Sequence, residues 1–264
     1  MVNSNNILEN SDLFDIINKS IKNRIPSSFI RKGDGENIVI GYNRLKEIDY
    51  KQYKRIMRIM NVKLKNRSLQ QFIIDELFSA FNNCNVLGIS KIEQRYNFWA
   101  IENNILELLN FDSNQYCDMN FHMDFVKYPR ENKIRNEVAR EIISNKNLGI
   151  ISCFNVKDFL FHHNSKLVKW IKMPIQNNLF GFGYKITLDF YYNAFSEIKK
   201  HNDKIDVWLI GAGIHGKIFC NQIKKNNGIA IDIGSAIDSW KNIYNSRGYL
   251  KKIIKNSKFD NNII

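Results

Sequence analysis

The stretch Asp206–Gly216, DVWLIGAGIHG, decides how the rest of the chain is read. A short apolar run with β-favouring residues enters a glycine turn, and an amphipathic helical pattern over 214–225 follows at once. Strand, glycine turn and helix in that order turn backbone N–H groups and a helix N-terminus toward a phosphate. Gly211, Gly213 and Gly216 complete G-x-G-x-x-G, and IAIDI at 229–233 places Asp232 nineteen residues past Gly213. That is the context of a dinucleotide fingerprint. A Rossmann domain, however, normally opens with this motif and adds strands after it, whereas here only a short segment follows Asp232. A phosphate-facing turn is expected, and a complete dinucleotide domain is not.

Working outward, the same alternation recurs. Apolar runs at Ser28–Arg31, Asn85–Ser90, 115–122, Leu148–Cys153 and Lys166–Met173 predict strands. Helical periodicity marks Ile7–Ile21, 35–43, 50–60, 68–82, Tyr96–Leu109, 133–144 and 184–199. Short strands alternating with helices predict an α/β fold: one Rossmann-like domain with a mostly parallel sheet flanked by helices. No Gly/Ser linker or repeat divides the chain, so residues 1–245 are expected to form that domain and 246–264 a basic tail. Ligands in such folds lie beyond the carboxyl ends of the strands.

With 264 residues, 44% hydrophobic and 25% charged, the chain has a globular composition and enough length for a buried core. No apolar run reaches the ~20 residues a membrane span requires. The first residues lack the basic and apolar regions of a secretory signal, so a cytoplasmic protein is expected. Four scattered cysteines form no CxxC pair, which argues against a zinc site or a disulfide framework. The net charge of +13 concentrates in Arg44–Arg67 and in the stretch after Lys241. It is compatible with a solvated face, an anionic membrane surface or nucleic acid. The last lacks any recognition motif, so no nucleic-acid partner is expected. In the tail, Tyr249, Leu250, Ile253 and Ile254 alternate with Lys251, Lys252 and Lys255, the pattern of a helix at an anionic membrane.

Two loops carry candidate chemistry. Arg31-Lys32-Gly33-Asp34-Gly35-Glu36 follows a predicted strand, and Gly33 and Gly35 allow a sharp turn. Asp34 and Glu36 form a D-x-E pair able to offer oxygens to magnesium or manganese, and Arg31 and Lys32 can hold phosphate oxygens. The alternative is an ordinary charged turn with Asp34 capping the next helix. The second loop spans Gly211, Gly213 and His215, then Asp232, Gly234, Asp238 and Trp240. There Asp232 and Asp238 can hold sugar hydroxyls and Trp240 can stack on a ring or pack in the core. Transfer to an acceptor hydroxyl also needs a base, for which His122 and Asp124 are candidates.

R-x-GDGE early and I-G-A-G…G-I-A-I-D-I-G-S-A-I-D-S-W late together resemble the GT-D-type bacterial glycosyltransferases, over roughly residues 10–245. The resemblance implies a metal-dependent transferase that takes a sugar from a nucleotide diphosphate sugar, usually a UDP-sugar. The acceptor would be a surface glycan (capsule, lipopolysaccharide or glycoprotein glycan), at the inner face of the cytoplasmic membrane. Asp34 and Glu36 then match the metal-binding D-x-E, Arg31 the arginine before it, and Gly211, Asp232, Gly234 and Asp238 the late block. Ala212-Gly213-Ile214-His215 departs from the Pro/Thr-containing turn of relatives. The alternative is a metal-free, dehydrogenase-like nucleotide-binding protein using the G-x-G-x-x-G turn.

Overall fold

The computed structural model describes residues 7–90, 96–109, 115–128, 137–175, 186–243 and 245–256. The chain begins with β1 (Ile7–Leu8), α1 (Asn10–Asn23), β2 (Ser27–Arg31), α2 (Asp34–Gly41), α3 (Tyr50–Ile59) and α4 (Arg67–Asn83). It continues with β3 (Val86–Ile89), α5 (Tyr96–Leu108), β4 (Tyr116–Asp118), a 3-10 turn at Met119–His122, α6 (Met123–Lys127) and α7 (Glu137–Ile143). Next come β5 (Asn147–Ser152), α8 (Lys157–Phe161), β6 (Lys166–Lys172) and α9 (Leu188–His201). The last elements are β7 (Val207–Gly211), α10 (Gly213–Lys225), β8 (Ile229–Asp232), α11 (Ala236–Trp240) and α12 (Gly248–Asn256).

The strands form one eight-stranded sheet in the order β1-β4-β3-β2-β8-β7-β5-β6, with every pairing parallel. Successive side chains of a strand face opposite sides, and both sides here are covered by helices, so the strands read as continuous apolar runs. In β7, Trp208 and Ile210 enter the core shared with α2, α3, α4 and α10, while Val207 and Leu209 enter the core shared with α1, α7 and α11. The parallel α/β architecture expected from the sequence is thus the observed one.

Asparagine does much of the work of ending helices. Asn43, Asn61, Asn145, Asn164, Asn227 and Asn242 all have positive φ, each just beyond a helix. A left-handed residue costs most side chains about 1–2 kcal/mol, and Asn tolerates it through local hydrogen bonding.

Two differences from the sequence expectations stand out. Ile7 and Leu8 are not the start of α1 but a strand paired with β4, opposite Tyr116 and Cys117. The region expected to be a tail contains α12, whose Leu250 is fully buried and whose Ile253 and Ile254 pack on the same core as α1 and α11. Leu250, Ile253 and Ile254 of the stripe assigned to a membrane face the protein, while Tyr249, Lys251 and Lys252 are exposed. Residues 129–136 and 176–185, where parts of two expected helices fall, and the segment from 257 onward lie outside the described residues.

Candidate active site

Arg31 ends β2 and Asp232 ends β8, neighbouring strands in which Phe29 lies opposite Ile231. From β2 the chain moves outward to β3 and β4, then crosses to the far half of the sheet and returns through β7 to β8. β2 and β8 lie side by side in the middle of the sheet, and the space beyond their carboxyl ends is where open α/β sheets bind ligands.

Asp232 is fully buried, and its carboxylate is surrounded by donors. Lys217 Nζ lies 2.8 Å from Oδ2, Arg31 Nε lies 3.5 Å from the same oxygen, and the Gly234 N–H donates to Oδ1 at 3.0 Å. Burial alone would raise the Asp232 pKa, but Arg31 and Lys217 outweigh it and hold the carboxyl at about 2. Lys217 projects from the second turn of α10 and also meets Glu36 Oε1 at 2.9 Å and the Gly213 carbonyl at 3.1 Å. Burial opposes its charge, yet Asp232 and Glu36 raise its pKa above the ordinary lysine value. One buried ammonium therefore joins the early acidic loop to the late glycine loops.

Glu36 is the third residue of α2, and its Oε2 accepts the Gly33 N–H at 3.1 Å, closing a helix cap. Asp34 opens the same helix and is half-buried. Gly35 lies against Ile214 of α10, with Ile56 of α3 beside it. Gly234 has φ +52° and carries the Arg31 guanidinium directly over it. Gly211 approaches the Gly234 carbonyl and Ile237 so closely that a Cβ would stand 2.8 Å from each. Gly213, with φ +57°, makes the turn into α10. Arg31 itself has Asp232 as its one polar contact among the described residues, so neither Nη atom is committed.

The other expected site residues divide. His122, buried in the 3-10 turn after β4, is within electrostatic reach of Arg31 and Asp232. Burial, then Arg31, hold its pKa well below the usual histidine value. Its Nδ1 lies 3.3 Å from the Met119 carbonyl and its Nε2 3.4 Å from the Tyr249 hydroxyl. Asp124 instead accepts from Asn10 of α1 at 3.2 Å. Lys32 is fully buried, and its Nζ is committed to Glu102 Oε2 at 2.7 Å and Asn37 Oδ1 at 2.9 Å. His215 is likewise inward, with Nδ1 2.5 Å from the Tyr191 hydroxyl and Nε2 2.9 Å from the Met60 carbonyl. Asp238 lies near Ser246 and Arg247, where burial raises its pKa. Trp240 packs in the core, stacked on Phe159 with its indole N–H donated to the Phe125 carbonyl at 2.9 Å.

The residues present do not form a ready-made metal centre. Both Glu36 oxygens are taken by protein donors, and among the described residues no group of three His, Cys, Asp or Glu could hold an ion.

Residues the sequence reasoning missed are Lys217, Glu102, Ser235 and Tyr249. Lys217 had a signal, a lone cation in the otherwise uncharged run GIHGKIFC that opens α10. Tyr249 had one only as part of the supposed tail; its hydroxyl is hydrogen-bonded to Ser235 in the loop after β8.

The GT-D-like family, described as a GT-D fold-like domain, matches residues 8–157, more than half of the chain. The chain belongs to this family, a glycosyltransferase fold, and is accordingly an enzyme of the transferase class. Among solved structures, a glycosyltransferase (DUF1792) from Streptococcus sanguinis is similar over 89% of this chain and 83% of its own, at 15% identity and TM-score 0.49. A second, described as a domain of unknown function 1792 with a distinct glycosyltransferase fold, is similar over 86% and 79%, at 17% identity and TM-score 0.43. No match is found among curated proteins.

Proposed function

We propose that the chain transfers a sugar from a nucleotide diphosphate sugar, with a uridine nucleotide as the first donor to test, to a glycan acceptor. The observation that carries this is Arg31: a guanidinium at the carboxyl end of β2, beside the end of β8, whose Nη donors are uncommitted among the described residues. An uncommitted fork is suited to two phosphate oxygens. In this reaction the anomeric C–O bond breaks and charge collects on the departing diphosphate, so a cation fixed there lowers the barrier. Of the two base candidates, His122 is the one within electrostatic reach of Arg31 and Asp232; burial and Arg31 keep its imidazole neutral, which leaves it unprotonated but a weak base.

A divalent ion belongs to the proposal only as a passenger on the diphosphate, with Asp34 as its protein ligand, since such ions often use one or two carboxylates plus phosphates. There it would add positive charge to the leaving phosphate. The dehydrogenase-like alternative is disfavoured by Asp232. The acid that would hold a ribose hydroxyl is fully buried and already paired with Lys217 and Arg31. No described helix is long and apolar enough to cross a membrane. Contact with an anionic membrane therefore rests, in this proposal, on exposed charge such as Lys51, Arg55 and Arg58 of α3 and Lys251 and Lys252 of α12.

Calorimetric titration with uridine diphosphate and with a nicotinamide dinucleotide, each with and without manganese, tests the donor class. Donor hydrolysis across a nucleotide-sugar panel tests the activity. Binding of the uridine nucleotide that Arg31→Gln weakens supports the proposal. Binding of the dinucleotide alone, indifferent to Arg31, overturns it.

A further inference from the structure

We propose that Lys217 is a positioning residue: by occupying Asp232, it keeps the Arg31 guanidinium available to an anion. The identity of that anion, a nucleoside diphosphate, rests on the function proposed above.

An arginine beside a carboxylate ordinarily closes into a two-bond fork with N···O distances near 2.7–2.9 Å. Arg31 does not. Its contact with Asp232 Oδ2 is 3.5 Å, through Nε alone, and Nε makes no hydrogen bond. The cause lies on the other side of the carboxylate. Lys217 holds the same oxygen at 2.8 Å, and the Gly234 N–H holds the other at 3.0 Å. With Oδ1 hydrogen-bonded to Gly234 and a second positive charge ion-paired to the shared Oδ2, Arg31 is kept at a distance. Lys217 cannot readily move to the ligand itself. Its ammonium is ion-paired with Asp232 and with Glu36 at 2.9 Å and donates to the Gly213 carbonyl at 3.1 Å. All three acceptors are internal, which makes Lys217 a group that acts through Arg31 rather than one that touches substrate.

Removing the charge at 217 leaves Asp232 buried beside Arg31 as the nearest cation. The pair then closes into a fork, and the donors that faced the anion turn inward. The test is the affinity for uridine diphosphate and for inorganic pyrophosphate at fixed salt, with thermal melting followed for every variant. Lys217→Met is expected to weaken both by about tenfold or more, because a charge-assisted fork is lost. Lys217→Gln, which keeps a hydrogen-bonding group of similar reach, should weaken both in the same way. Lys217→Arg, which keeps the charge, should lose less. The deciding variant is Lys217→Met with Asp232→Asn: neutralising the trap frees Arg31, and affinity should recover to within about threefold of the parent. Asp232→Asn would restore stability for a merely structural lysine as well, so affinities are compared only among variants that the melting curves show folded, where a structural role predicts no loss of affinity in Lys217→Met. A folded Lys217→Met or Lys217→Gln protein that binds like the parent overturns the proposal, as does a double variant no better than Lys217→Met. If the parent binds neither probe, the proposed donor class fails. The role of Lys217 is then read from the Arg31 Nε–H resonance, which must shift on Lys217→Met; an unchanged resonance overturns it.

Discussion

Gly234 leaves open the volume that the Arg31 guanidinium fills. A Cβ at 234 would overlap Arg31 Nη2 and stand 2.8 Å from Cζ, in a backbone with φ +52°. Gly234→Ala should therefore displace Arg31 and strain the loop by about 1–2 kcal/mol. Expected outcomes are a lower denaturation midpoint and loss of most of the affinity for uridine diphosphate, measured by urea titration and calorimetry. Gly248→Ala is the control: nothing lies within 4 Å of a Cβ there, and affinity should not change.

Lys32 and Glu102 form a buried ion pair beneath the site, with Asn37 hydrogen-bonded to both. Burial pulls the Lys32 pKa down against the Glu102 carboxylate, which raises it. Glu102→Ala strands a buried ammonium and should cost about 3–5 kcal/mol, measured by chemical denaturation. The joint replacement Lys32→Met with Glu102→Leu should cost clearly less, because no buried charge remains. A double variant as unstable as Glu102→Ala would show that packing, not charge, dominates there.

His215 makes stability depend on pH. Burial, opposed by the Met60 carbonyl and assisted by Lys217, holds its pKa at about 4. The unfolded chain takes up that proton near pH 6.5, so between about 6.5 and 4 it binds more protons than the native state. Stability is thus complete above pH 6.5, falls as the pH drops toward 4, and loses no more from this group below that. The change amounts to up to about 3 kcal/mol. Burial holds His163 at about 4 as well, which adds to the same slope. Urea titrations at pH 7.5 and 4.5 should show the loss, and His215→Gln should make it smaller.

The helix α12 should behave as part of the domain. Leu250 is fully buried, so Leu250→Ala should destabilise the protein by about 2–5 kcal/mol. Truncation after Arg247 removes Leu250 together with the Tyr249 contact to Ser235, and should lower nucleotide affinity along with the melting temperature. Retention of both by the truncated protein would restore the tail as an independent appendage.

The legible features were those carried by local pattern. DVWLI, the glycine turn and IAID predicted β7, the start of α10 and β8 almost to the residue, because apolar runs and left-handed turns are properties of neighbouring residues. The reversal of Glu36 onto Lys217 was not legible. Neither were the inward turns of Lys32 and His215, or the docking of α12. Each depends on a partner far along the chain: Glu102 for Lys32, Tyr191 and Met60 for His215, Ser235 and the core for α12.

The sequence by itself determined the alternation of strands and helices, the two glycine-bearing loops at strand ends, and membership of the family that those loops resemble. Only the tertiary structure decided which charges meet. Arg31, Glu36, Lys217 and Asp232 are brought within ion-pairing distance of their partners by the β2/β8 pairing and the docking of α10. Hydrophobic periodicity is written locally, whereas the neutralisation of a buried charge is a property of whatever the folded chain places beside it.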